Sequence, residues 1–171
     1  MIYLDNAATT YPKPFSVLET VYRANRKYAY NSGRGGYRES VQTAEKIFAV
    51  RDCLGRFFHC PEQNIVFANN CTTAVNMALK GLLKPGDHVL ISALEHNAVF
   101  RPIYKLAREG RITYDQVPYH PDPDRFLQNI RALEQPNTAM VAMLHASNVF
   151  GVVHPLSLIH ISEPTRPISI S

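Results

Sequence analysis

The sequence predicts an α/β fold, a mostly parallel sheet with helices on both faces, and three observations predict it. Short apolar runs at 65–68, 88–91, 111–117 and 139–144 are separated by stretches of helical period near 72–83, 97–108 and 124–133. Strands alternating with helices of about ten residues are the pattern of βα units, which build a parallel sheet buried on both sides. Hydrophobic residues make up 46% of the 171 and charged ones 19%, a globular composition on a chain long enough for one sizeable core.

Taken in order, residues 1–14 hold a short apolar start and then Pro12 and Pro14, which favour an extended or turn-rich segment. Ser16 is a candidate cap for a helix through Val17, Leu18, Val21 and Tyr22. Residues 31–38, NSGRGGYR, form a glycine-rich loop. After it Val41, Ala44, Ile47, Phe48, Cys53 and Leu54 recur at helical spacing up to about Phe58. Ile65 to Ala68 reads as the first strand, with a helix from about Thr72 to Leu83 that stops at the KPGD turn, residues 84–87. His88 to Ile91 is the second strand, Arg111 to Val117 the third and Ala139 to Leu144 the fourth. The helix from Asp124 to Leu133 follows Pro121 and Pro123, which favour its start.

Charge and cysteine content exclude several classes. The net charge of +4 is spread along the chain, with no basic stripe or module that a nucleic-acid partner would require. Cys53, Cys60 and Cys71 are odd in number and match neither a zinc pair nor a redox CxxC, which suggests a reducing, cytoplasmic setting. The N-terminus carries no secretory pattern and no run approaches the roughly 20 apolar residues of a membrane span, so no membrane partner is expected. His96, His120, Asp122 and Asp124 lack the tight spacing of a metal site, and none is expected.

In an open α/β sheet ligands collect at the C-terminal ends of the strands. Ala68 to Thr73 offers free N–H groups at a helix start and two hydroxyls, which suits a phosphate as well as it suits an ordinary Asn/Thr cap. Neither a GxxxxGK[ST] loop nor a strand-borne GxGxxG is present. In Ser92 to Asn97, His96 is a candidate for stacking on a flat cofactor or moving a proton, or else a surface histidine beside a cap. In His145 to Asn148, Asn148 is a candidate partner of a cofactor hydroxyl, or a turn asparagine.

Five motifs occur together and in one order: YLDNAATT at 3–10 followed by a proline, NSGRGG at 31–36, NNCTTAVNMALKG at 69–81, SALEHNAVFRP at 92–102 and HASNVFG at 145–151. With them, residues 1 to about 155 resemble the fifth class of aminotransferases, in particular cysteine desulfurases and selenocysteine lyases. The resemblance implies a fold-type I transferase using pyridoxal 5'-phosphate, present here as the N-terminal arm and the first half of the large domain. It implies that Cys71 and Thr72 hold the cofactor phosphate, that His96 stacks over the pyridine ring and assists proton transfer, and that Asn148 lies near the ring hydroxyl. Asn6, Ala7, Ala8 and Asn31 would line the substrate side. The substrate would be cysteine or another small amino acid, and the intact parent a homodimer that passes sulfur to an enzyme cysteine.

Two departures bear on substrate: Thr73 stands where glutamate is usual, and Ser147-Asn148-Val149 where NNE is frequent. The Schiff-base lysine and the aspartate that pairs with the pyridine nitrogen have no match, so this chain is expected to be inactive. Residues 1–60 are expected as an arm with helices, 61–155 as an incomplete cofactor-binding domain, and 156–171 as a non-native, disordered tail. Within that tail LSLIHISEPTR resembles the translation of a sequencing-library adapter. Two rival readings are a class V relative acting on another amino acid and a non-catalytic small-molecule-binding α/β protein.

Overall fold

The computed structural model describes residues 2–157 and the backbone of 169–170. It divides into two compact units, Met1–Phe67 and Ala68–Ser171. Most of the expected disordered tail lies outside the described residues.

The first unit carries helix α1, Phe15–Lys27, helix α2, Arg38–Phe57, and a 3-10 turn at Glu62–Asn64. The residue ahead of α1 is Pro14, and no side chain caps the helix. Ser16 is therefore not the cap expected for it: it lies inside the first turn, where its carbonyl accepts from Thr20 Oγ1 at 2.7 Å. Proline's fixed φ turns the chain into the helix two residues earlier than a cap at Ser16 would. The α2 helix is tied to the preceding chain by two buried hydroxyls. Ser40 Oγ donates to the Asn31 carbonyl at 2.7 Å and Thr43 Oγ1 to that of Tyr28 at 3.3 Å. At the far end of α2 the chain folds back so closely that Cys60 N donates to Gly55 O at 2.9 Å. A Cβ on Gly55 would stand 2.7 Å from the Cys60 carbonyl oxygen, so only glycine fits.

The expected strand at Ile65–Ala68 is not formed. The segment is extended at Ile65 (φ −84°, ψ 117°), but Val66 and Phe67 are exposed and no described strand pairs with it. An apolar run becomes a strand only through a neighbour's hydrogen-bonding edge.

The second unit is built on a sheet in the order β2–β1–β3–β4, with all pairs parallel. The strands are β1, His88–Ser92, β2, Thr113–Val117, β3, Thr138–Met143, and the two-residue β4, Ser169–Ile170. Helix α4, Asn97–Arg108, links β1 to β2, and α5, Pro123–Leu133, links β2 to β3. Helix α3, Cys71–Leu82, precedes β1. Alternation along β1 sorts the core onto two faces. Val89 and Ile91, with Met140 and Ala142, pack with Val75 and Leu79 of α3 and Val99 and Ile103 of α4. Leu90, with Met143 and Val117, packs with Phe126 and Ile130 of α5. Each helix presents its apolar residues four apart, one stripe facing the sheet.

Turn chemistry sets the boundaries. Asp87 Oδ2 accepts from Lys84 N at 2.7 Å and Gly86 takes φ +91°, which makes the reversal into β1. Gly110, at φ +69°, ends α4, and Arg111 N donates back to Leu106 O, so β2 begins at Thr113 rather than at the expected Arg111. Asp122 Oδ1 caps α5 through Asp124 N at 2.9 Å, with Pro123 in the first turn.

Candidate functional site

Three loops meet the C-terminal end of the sheet. Helix α3 lies on the sheet through Val75, Leu79 and Leu83 and returns to the start of β1 within residues 83–87. Its own N-terminus therefore lies at the end where β1 finishes. There Asn70 is the cap, and its Oδ1 accepts from Thr73 N at 2.8 Å. Ala74 N is taken by the Asn70 carbonyl. The N–H groups of Cys71 and Thr72, the first two of the helix, have no intrahelical acceptor, and both residues are exposed, as is the hydroxyl-bearing Thr73. Two open N–H groups at the positive end of a helix, with two hydroxyls beside them, form an anion-binding arrangement.

The loop after β1 carries His96. Its Nδ1 accepts from Ala98 N at 3.0 Å, capping α4 and fixing the ring. In a neutral ring with Nδ1 as acceptor, the proton sits on Nε2. The ring is exposed. The cap and the ring-stacking role are compatible, because one nitrogen sets the ring's orientation and leaves its faces open.

The loop after β3 closes on itself. Ser147 N donates to Val152 O at 2.8 Å, Gly151 N to Ser147 O at 2.9 Å and Phe150 N to Ser147 Oγ at 3.2 Å, while Ala146 and Val153 form an antiparallel bridge. Ser147 is buried, and Asn148 stands exposed at the tip. His154 is buried at the base. Its Nδ1 donates to the Leu144 carbonyl at 2.7 Å, and its ring lies against Tyr119 and Phe126. Its Nε2 is buried with no hydrogen-bond partner among the described residues. Burial holds the His154 pKa below the ordinary histidine value; the bond to Leu144 opposes the shift, and the nearby His145 adds to it.

Glu95 joins the two loops. Its Oε1 accepts from His96 N at 3.0 Å and its Oε2 from Leu144 N at 2.8 Å. Burial raises its pKa despite the two N–H groups and His96, which pull the other way.

Cys71, Thr72, His96 and Asn148 thus all lie on loops or helix starts at one end of the sheet. Asn6, Ala7, Ala8 and Asn31 belong to the first unit, each exposed: Asn6 Oδ1 accepts from Tyr11 N at 3.1 Å, Ala8 N donates to Asp5 O at 3.1 Å and Asn31 Oδ1 accepts from Gly33 N at 2.9 Å. Sequence reasoning missed Glu95, Ser147 and His154. Glu95 sits in the quoted SALEHNAVFRP segment, but nothing local says that a carboxylate there reaches the end of a strand some 49 residues on. His88, also buried, lies at the opposite end of the sheet, between Thr138 Oγ1 at 2.7 Å and Asp115 Oδ2 at 3.2 Å. Among the described residues no cluster of three His, Cys, Asp or Glu could hold a metal ion, and no helix is long and apolar enough to cross a membrane.

The class-V aminotransferase family model matches residues 2–163. A probable cysteine desulfurase of Halalkalibacterium halodurans is 28% identical over 161 residues, covering 91% of this chain and 39% of that protein. A second, from Methanothermobacter thermautotrophicus, is 30% identical over 156 residues, covering 89% and 38%. The solved apo structure of a cysteine desulfurase from Thermococcus onnurineus NA1 aligns with a TM-score of 0.81 at 26% identity, covering 99% of this chain and 43% of that one. The chain thus spans about two fifths of the length of the curated relatives it matches.

Proposed function

Because the chain belongs to the class-V aminotransferase family, we propose that its sheet-end site is the phosphate-and-ring portion of a pyridoxal 5'-phosphate pocket in a cysteine desulfurase. The intact enzyme converts L-cysteine to L-alanine and passes the sulfur to one of its own cysteines as a persulfide. The observation that carries this reading is the pair of open N–H groups at Cys71 and Thr72, flanked by the Thr72 and Thr73 hydroxyls.

Those donors suit a phosphate dianion, since helix N–H groups and hydroxyls can donate to three oxygens at once. Bound there, the cofactor supplies an electron sink for the substrate's α-carbon. His96 presents a flat ring for stacking and a proton on Nε2, its orientation set by the Ala98 bond. Asn148, on its hydrogen-bonded turn, offers a carboxamide to the ring hydroxyl. A substrate-side role for Asn6, Ala7, Ala8 and Asn31 rests on the family resemblance alone. The lysine that carries the cofactor in the family has no match in residues 1–155, so the chain alone binds the cofactor weakly and does not turn over. None of Cys53, Cys60 and Cys71 is the sulfur acceptor. The intact enzyme is a cytoplasmic homodimer, and residues from about 156 are a translated adapter, a reading that coding sequence of the source locus past Pro155 tests directly.

Thr73 and the Ser147-Asn148-Val149 turn favour a second reading, a class V enzyme acting on selenocysteine or another small amino acid. Equilibrium dialysis of the purified chain with pyridoxamine 5'-phosphate, which forms no bond with surface lysines, tests the site. Binding displaced by inorganic phosphate and weakened in Thr72→Ala, which keeps the backbone N–H groups but loses one hydroxyl, is expected. No binding, or binding that phosphate does not displace, overturns the assignment. Release of alanine from cysteine by the chain with pyridoxal 5'-phosphate would refute its inactivity.

A further inference from the structure

The two loops that carry His96 and Asn148 leave the C-terminal ends of neighbouring parallel strands, β1 and β3, where the chain from β1 runs on through α4 to β2, on the side of β1 away from β3. Beyond Met143, the last residue of β3, the N–H of Leu144 donates instead to a side chain, Glu95 Oε2 at 2.8 Å, while Oε1 of the same carboxylate takes the N–H of His96 at 3.0 Å. The far side of Leu144 is held by His154, whose Nδ1 donates to its carbonyl at 2.7 Å. We propose that Glu95 is a positioning residue that fixes the His96 loop and the Asn148 loop to each other, and so sets the width of the slot that receives the cofactor ring.

The chemistry favours a carboxylate at this place. One backbone donor is the N–H of the next residue, His96, and the other comes from Leu144 beyond β3, and a carboxylate offers an acceptor to each through a planar, rigid group. Glutamine, of the same size, offers one oxygen, and its NH2 must face the other N–H. Aspartate is shorter by one methylene and does not reach both. The group is also held half-buried at a desolvation cost that its two N–H partners do not cancel, which an exposed loop glutamate kept only for solubility would not incur.

The proposal deepens the cofactor reading and rests on it for the ligand. It is tested on the full chain, wild type against Glu95→Gln, with three measurements: dialysis affinity for pyridoxamine 5'-phosphate, dialysis affinity for inorganic phosphate, and amide hydrogen exchange. Loss of one charge-assisted bond corresponds to about a tenfold effect. The expected result is a roughly tenfold weaker pyridoxamine 5'-phosphate affinity with phosphate affinity unchanged within about twofold, and about tenfold faster exchange at the Leu144 or His96 amide. Equal weakening of both ligands reports general damage and overturns the positioning role. So does an unchanged pyridoxamine 5'-phosphate affinity. A wild-type chain that binds pyridoxamine 5'-phosphate no better than phosphate refutes the ring site itself. The exchange data then decide alone: faster exchange in the variant upholds the tie between the loops, and unchanged exchange overturns it.

Discussion

Lowering the pH from about 7.5 to about 5.5 destabilises the second unit through His154, and His154→Gln removes that loss. The ring donates from Nδ1 to the Leu144 carbonyl, so the proton gained on titration must go to Nε2, which is buried against Tyr119 and Phe126 without an acceptor. Burial therefore lowers the folded-state pKa, while the unfolded ring titrates near the ordinary value of 6.5. A depressed histidine contributes stability that is present above the unfolded pKa and lost as pH falls through the folded one. If the folded ring takes up no proton above pH 5.5, the loss is RT ln(11/1.1), about 1.4 kcal/mol, and this is the ceiling. Glu95 acts with the opposite sign, because its raised pKa gives stability at low pH that is lost as pH rises through the folded value. Glu95 is common to both proteins and cancels in the comparison. Urea unfolding of wild type and His154→Gln at the two pH values measures the difference directly; the glutamine amide can still donate to Leu144. Equal losses in the two proteins would refute the argument.

Three further outcomes follow from the packing. Asn70→Ala removes the cap bond to Thr73 and costs about 1 kcal/mol, read as a lower urea midpoint with an unchanged slope. Phe126→Ala empties the centre of the α5 face and costs about 3–5 kcal/mol, a large fraction of a domain's stability, so calorimetry should show a broad or lost transition. Gly55→Ala forces a methyl against the Cys60 carbonyl and costs about 1–3 kcal/mol in the first unit, measurable by thermal unfolding; a neutral result would mean that the turn after α2 yields easily.

The parts of the fold legible in the sequence were those whose signal is local. The α3, α4 and α5 stripes repeat every four residues, and β1 is a plain apolar run between two turns, so each could be read from its own residues. Ile65–Ala68 has the same apolar character, yet it forms no strand, because pairing is decided by a partner edge elsewhere in the chain. The site divides in the same way. His96 and the N-terminus of α3 were visible as polar residues between a strand-like run and a helical one. Glu95 acts through a contact that closes only when β1 and β3 lie side by side, whereas Ser147 and His154 act through bonds within the turn after β3 and, for His154, through packing against Tyr119 and Phe126. Their residue types alone suggest a solvated glutamate, a turn serine and a surface histidine.

Leu144 is bonded on both sides of its α-carbon, at its N–H by Glu95 and at its carbonyl by His154. Its two backbone torsions are therefore restrained from both sides at the root of the loop bearing Asn148. On the return limb Gly151 takes φ +66°, a conformation that favours glycine, and its N–H is held by the Ser147 carbonyl. A ligand entering the crevice therefore meets a turn tied both at its root and across its own width, so the place of Asn148 is set before the ligand arrives.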